Sequence, residues 1–399
     1  MRASVLLAAL LLLTPAPSCP NAEAERASEL AKQGRLEEAI LHSAKAAELS
    51  PRDAGLLVHH GALLQNSAGD SLAPAVREQR WLDAMKAFDS ARELEPTSAS
   101  AFLNSAIVSV LLSHEGAVEL HARRAEEYAA QAEVLRHPDW ANVEKVHASA
   151  WAARAAAAGK HAKPPRLDEQ RECNENAVAC YDRVLARTPK DAFSLHYRGA
   201  RLENLRRYDE ALLSFAASSE LVPTAPEAWE AAALTHVHLS QYEAALAAAE
   251  KAVSAAAAAG AAPTVTGGAY RSMGDAYGGM GRHSEATTSF ENAVFGIKDD
   301  AALWARLGAS RWVWYAGTRE ATEPYAQAVE AYDNALRLDP LLARSVIERA
   351  FARGFVAHSR GAAHAAQEAP SLLAELERGA KVHTELLKTV SEAERSTHS

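Results

Sequence analysis

The chain has 399 residues, 48% hydrophobic but only 6% aromatic, 23% charged, with a net charge of −9. That length exceeds one ordinary core, so several domains or a repeat array are expected. The acidic, mixed-sign balance excludes a general nucleic-acid surface, which needs a basic excess.

Alanine carries much of the apolar count, and it favours helix because it loses no side-chain entropy there. The N-terminus reads as a separate segment. Arg2 precedes an apolar run from Val5 to Leu13, and Thr14 to Pro20 form a helix-breaking exit. Ala16 and Ser18 are small residues at positions −3 and −1 of a cut before Cys19. Residues 1–18 therefore have the layout of a secretory signal peptide, which places the mature chain in the secretory pathway, lumenal or extracellular. The alternatives are an uncleaved anchor or a plain helix start in a cytoplasmic protein. A lipidated Cys19 is disfavoured, because Ala16 stands where such sites usually carry Leu. The run is shorter than the roughly 20 residues that span a bilayer, and no second stretch is long enough, so no membrane span is expected in the mature chain. The other cysteines are Cys173 and Cys180. On one helix they lie about 10 Å apart, too far for a disulfide.

From residue 22 onward a spaced set of residues recurs. It opens with Ala39, Ala46 and Pro51, then Gly61, Ala84, Phe88, Ala91 and Pro96, with an insertion at 66–80 expected to lengthen the turn inside that unit. A helix pair with decayed signature residues follows over 99–138, then a first helix over 139–158, a loop at 159–166 and a second helix from near Asp168 with Ala177, Tyr181 and Pro189. Gly199, Tyr208, Ala211, Phe215 and Pro223 come next, then Ala233, Tyr242, Ala245 and Ala249. The run 255–268 separates units. Gly274, His283, Ala286 and Phe290 continue the set, as do Trp304, Leu307 and Gly308, and, past an insertion at 312–326, Ala328, Tyr332, Ala335 and Pro340. The last unit begins at Ala343 and departs from the pattern after His358. Residues 371–394 read as a long amphipathic closing helix with Leu372, Leu376, Leu386 and Val390 among its apolar positions.

The offsets have a mechanical reading. A small residue in the first helix of each pair lets the second helix approach, and the alanine opening the second helix does the same from the other side. Trp229, Tyr270 and Trp304 are expected to fill the gap to the neighbouring unit, and proline ends the second helix. This residue order resembles the tetratricopeptide-repeat (TPR) family, whose repeat is 34 residues long. The resemblance implies an all-α solenoid: a right-handed superhelix of antiparallel helix pairs, about eight units with insertions over 21–359, and a capping helix over 370–395. Loops are expected at 67–75, 159–165, 260–268 and 317–323.

No catalytic constellation is recognisable. The sequence lacks a phosphate-binding glycine loop, H-E-x-x-H and G-x-S-x-G. Gly278, Gly279 and Gly281 fall at a turn between two helices. His59 with His60, and His236 with His238, have poor spacing for one helical metal site. Cys173, Cys180 and His161 lack a second paired ligand motif. The expectation is a non-enzyme with no cofactor and no metal, binding a protein or peptide partner and not nucleic acid. The resemblance places that partner on the concave face lined by the first helices. Helical spacing then nominates Phe193, His196, Tyr197, Glu227, Glu230, Arg271, Asp275, Arg306, Arg344 and Glu348. Arg271, Arg306 and Arg344 make a candidate positive track for a carboxylate-ended peptide, unless Asp275 and Glu348 neutralise it.

Two subfamilies bear on the partner. The Lys/Asn carboxylate clamp of chaperone-binding TPR domains is absent, since the corresponding positions carry His, Tyr, Ala, Ser and Arg. The C-terminal repeats, from Leu303 to Ser310 and from Ala328 to Ser345, resemble the peroxisomal targeting-signal receptor, although Ala305 and Glu348 stand where that receptor has asparagines. A cargo receptor for C-terminal peptides, or a non-catalytic subunit of an enzyme complex, is the alternative to an adaptor.

Overall fold

The computed structural model describes residues 22–69, 72–114, 118–161, 165–261, 263–316, 323–359 and 362–396. The segment read as a signal peptide, with Cys19, lies outside these residues. The described chain is helical, without strands. It divides into two compact units, up to Ser194 and from Leu195.

The first unit holds α1 (Ala22–Lys32), α2 (Leu36–Leu49), α3 (Ala54–Ser67), α4 (Pro74–Leu94), α5 (Ala99–Leu112), α6 (Val118–Val134), α7 (Trp140–Ala156) and α8 (Leu167–Arg187). The unit boundary falls inside α9 (Ala192–Asn204). The second unit continues with α10 (Tyr208–Leu221), α11 (Pro226–His238), α12 (Tyr242–Ala258), α13 (Gly267–Gly279), α14 (His283–Gly296), α15 (Ala301–Ala316), α16 (Glu323–Leu338), α17 (Ala343–Ser359) and α18 (Ala362–Ser396). Within each unit, helices pack mainly on their immediate successors, as stacked repeats do.

Local chemistry sets the ends. Asp53, Asp139 and Asp300 each accept a backbone N–H three residues on, from Leu56, Asn142 and Leu303 at 3.2, 3.1 and 3.0 Å, starting α3, α7 and α15. Several first helices end on a residue with positive φ: Gly34 (75°), Arg206 (59°), Ser240 (57°) and Gly281 (73°). Each is followed by a backbone bond reaching back five residues, such as Arg282 N–H to the Tyr277 carbonyl at 2.8 Å. Gly281 is thus a helix stop, and Gly278 and Gly279 belong to the last turn of α13. Pro51, Pro96, Pro189, Pro223 and Pro340 each stand two residues beyond the end of a second helix.

Packing within a pair rests on two fixed contacts. Ala39, Ala84, Ala177, Ala211, Ala245, Ala286 and Ala328, in seven of the second helices, have no exposed surface. A first-helix glycine lies flat against an aromatic ring of the second helix in four pairs. A Cβ on Gly61 would meet Phe88 at 2.6 Å, one on Gly199 would meet Phe215 at 2.6 Å, one on Gly274 Phe290 at 2.5 Å, and one on Gly308 Tyr332 at 2.9 Å. In the α11–α12 pair both partners are alanines, Ala233 and Ala249, fully buried.

The loop expected at 67–75 falls between the end of α3 at Ser67 and the start of α4 at Pro74, but the insertions otherwise depart from expectation. Residues 66–80 do not simply lengthen a turn, because α4 starts at Pro74 and takes up half of them as two extra helical turns. Pro74 suits the first helical position, where its missing N–H has no partner to lose. At 312–326 the helices likewise extend to Ala316 and resume at Glu323, leaving 317–322 outside the described residues. The loop at 159–165 begins as a π-helical turn, Ala157–His161. The loop at 260–268 contains a 3₁₀ turn, Pro263–Thr266, and Gly267 and Gly268 already belong to α13. The closing helix starts earlier than expected, at Ala362, with Pro370 inside it. Tyr270 and Trp304 fill the gap between units, packing on Phe290, Leu303 and Leu307. Trp229 does not: it borders an open cleft.

Candidate functional site

In the second unit the first helices α9, α11, α13, α15 and α17 carry charged side chains that join one helix to the next. His238 of α11 meets Glu203 of α9 at 3.2 Å. Arg306 of α15 donates through Nη1 to Asp275 of α13. Arg271 of α13 faces Asp300, the cap of α15, at 3.6 Å. On α17, Arg344 donates from Nε to Glu348 one turn away at 2.6 Å.

Burial tunes this ladder. It raises the Glu203 and Asp275 carboxyls, while His238 pulls Glu203 back and Arg306, Arg271 and His238 pull Asp275 back. Glu230 is 6% exposed. Burial pushes its carboxyl up to about 7 against the opposing pull of the Ala269 amide and Arg271, and Glu227 one turn earlier adds to the rise. The Glu230 carboxylate accepts the Ala269 N–H at 3.3 Å, capping the start of α13 from the preceding first helix.

Of the residues nominated from the sequence, Glu230, Arg271, Asp275 and Arg306 come together across α11, α13 and α15. Arg344 and Glu348 form a separate pair. Glu227 is half-buried one turn before Glu230. His196 lies edge-on to Tyr197, with centroids 4.7 Å apart, and burial pushes its ring down to about 4. Phe193 belongs to the first unit, where the Lys145 ammonium sits 5.4 Å from its ring. The three arginines do not form a bare positive row, since each faces a carboxylate: Asp300, Asp275 and Glu348. Sequence spacing missed Glu203, His238 and Asp300. Asp300 was recoverable as a helix cap before the apolar start of α15. Glu203 and His238 lie near helix ends and had no distinguishing signal.

In the first unit, ion pairs tie consecutive helices. Arg183 grips the nearly buried Glu144 with two hydrogen bonds, at 2.9 and 2.7 Å, and Arg154 joins Glu126 to Glu169. Cys173 and Cys180 are free and buried on α8, which raises their thiols to about 11 and about 12. Among the described residues no group of three or more His, Cys, Asp or Glu is placed to hold a metal, and no helix is long and apolar enough to cross a membrane.

A family model for the tetratricopeptide repeat matches residues 226–258, the α11–α12 pair. The chain folds as a tetratricopeptide-repeat solenoid. Its fold is similar to that of a chain in the Cut9–Hcn1 hetero-tetramer of the APC/C, at 12% identity and a TM-score of 0.53. The match covers 82% of this chain but 54% of the other, so the TPR solenoid spans about half that relative's length. A tetratricopeptide repeat protein from Parabacteroides merdae aligns at 16% identity over 70% of this chain and 93% of its own, with a TM-score of 0.46. No curated protein matches the sequence.

Proposed function

We propose that this TPR solenoid is a non-catalytic adaptor that holds an extended peptide of a partner protein along the first helices of its second unit. One observation carries the reading: among the described residues, Arg306 and Arg344 each engage a carboxylate through one guanidinium nitrogen, on side chains that remain about half and largely exposed. Among the described residues Arg306 uses Nη1 and Arg344 uses Nε, and their side chains are 47% and 88% exposed. Five donors on a planar fork suit peptide carbonyls and carboxylates. Because each charge is already countered, recognition depends on hydrogen-bond geometry more than on net charge, and its salt dependence is shallow.

The test is a peptide array with free and amidated C-termini, followed by titration of the best binder. Arg306→Ala with Arg344→Ala is expected to weaken binding about tenfold, or about 1.4 kcal/mol, with little added salt dependence. Unchanged affinity removes the arginines from the site and leaves Tyr197 of α9 as the better candidate in this unit. Loss of binding on amidation alone favours the cargo-receptor reading over the adaptor.

A further inference from the structure

Between the two second helices α10 and α12 lies a cleft of 580 Å³ that the repeat does not fill. One wall is Leu212, Leu213 and Ala216 of α10, and the other is Ala244, Ala247 and Ala248 of α12. Trp229 and Ala232 of α11 contribute to the floor. The cause is compositional. Apart from Lys251, the α12 wall is alanine, whose short side chains leave the gap to α10 open with Trp229 at its border.

The shape of the cleft selects its occupant. Both walls are helices running in the same direction, and each presents residues at the spacing i, i+3, i+4 that a packed helix face shows. Leu213 is 72% exposed at the rim, a large apolar side chain with nothing over it. The rim is also acidic. By helical spacing Asp209 and Glu220 share the stripe of Leu213 and Ala216, and Glu243 and Glu250 share that of Ala247. All four carboxylates are exposed, and none is ion-paired among the described residues. The cation in the cleft, Lys251, is engaged over the Trp229 ring at 4.5 Å.

We propose that the α10–α12 cleft docks a basic amphipathic helix of a partner protein, with leucine-type side chains in the alanine-lined gap and Lys or Arg flanks on the acidic rim. This surface is separate from the first-helix face, so a partner can occupy it while a peptide lies along the arginines.

The probe is an 18-residue amphipathic peptide of Leu and Lys, with the same pattern in Leu and Glu as the charge control. Binding is read by calorimetry and by hydrogen exchange on the intact chain. We expect the basic peptide to bind one to one, to protect amides of α10–α12, and to exceed the acidic control at least tenfold in affinity. Leu213→Gln tests the apolar contact. Glu220→Gln with Glu243→Gln and Glu250→Gln tests the rim. All four positions are exposed, so circular dichroism is expected to be unchanged, and each variant is expected to lose at least tenfold. Equal binding of the acidic peptide, unchanged affinity in both variants, or protection elsewhere overturns the proposal. A dimer of the free protein that Leu213→Gln abolishes also overturns it, and gives the cleft to a second copy.

Discussion

Replacing Gly274 by alanine isolates the contact on which helix pairing depends. The new Cβ would stand 2.5 Å from one carbon of the Phe290 ring and 2.6 Å from the next. Carbon atoms settle at about 3.5–4.0 Å, so the ring has to retreat by about 1 Å. It has nowhere to go: Phe290 is 4% exposed and packs in one cluster with Ala293, Leu303 and Leu307. Overpacking of this kind costs about 1–3 kcal/mol, which outweighs the roughly 1 kcal/mol that alanine gains over glycine inside a helix. Gly274→Ala is therefore expected to destabilise. Phe290→Ala alone is expected to cost about 3–5 kcal/mol through the cavity it leaves. In that background the sign reverses. With the ring gone, Gly274→Ala meets open space and stabilises by about 1 kcal/mol, so the two sites couple by about 1–3 kcal/mol, the overpacking cost itself. The α11–α12 pair already carries this double replacement, as Ala233 and Ala249. Repeat arrays need not unfold in one step, so the four proteins are compared by urea unfolding together with hydrogen exchange of α13 and α14 amides. Additive effects of the two substitutions would refute the reasoning.

Burial of Glu230 makes stability depend on pH. Its carboxyl titrates near 7 in the fold against 4.5 for the free group, so the folded chain binds the extra proton. The resulting stability is fully present below about pH 4.5 and is lost as pH rises through 7, by about 3 kcal/mol. Glu230→Gln removes that dependence, and urea midpoints at pH 5 and pH 8 check it; parallel shifts in both proteins count against the assignment. Ser240 and Arg206 hold positive φ at first-helix ends without the freedom of glycine, so Ser240→Gly or Arg206→Gly is expected to stabilise by about 0.5–1 kcal/mol in thermal unfolding. A lower melting temperature in both variants shows the end to be held by the side chain instead. Residues 1–18 are proposed to be removed in the secretory pathway, and intact mass of protein from its native source is expected to give a chain beginning near Cys19.

The helix pairs were legible because their signal is steric and repeated. A glycine that must touch a ring, an alanine that must lie under a neighbouring helix and a proline that must follow one leave residue types at fixed offsets, whatever the rest of the sequence does. The insertion at 66–80 was read in part: the loop expected at 67–75 falls between Ser67 and Pro74, but the helical residues 74–80 that follow were counted with the turn because Gly, Ser, Ala and Pro precede them. Pro74 is compatible with a helix start, and the residues after it continue the α4 face that Trp81 and Phe88 bury. The charged ladder was half legible. Spacing placed Arg271, Asp275 and Arg306 on one face, because 3.6 residues per turn decides that within a helix. It offered Asp275 and Glu348 as neutralising two of the arginines, as Glu348 does for Arg344 one turn away. It did not find partners on other helices, whose separation is set by loop length: Arg306 reaches Asp275 and Arg271 reaches Asp300 across α14, and His238 reaches Glu203 across α10. The α10–α12 cleft was least legible. Alanines at 244, 247 and 248 look like ordinary helix-forming residues, and an empty space between two helices has no residue of its own. It shows only when the short side chains of α12 are seen against the exposed Leu213 opposite them.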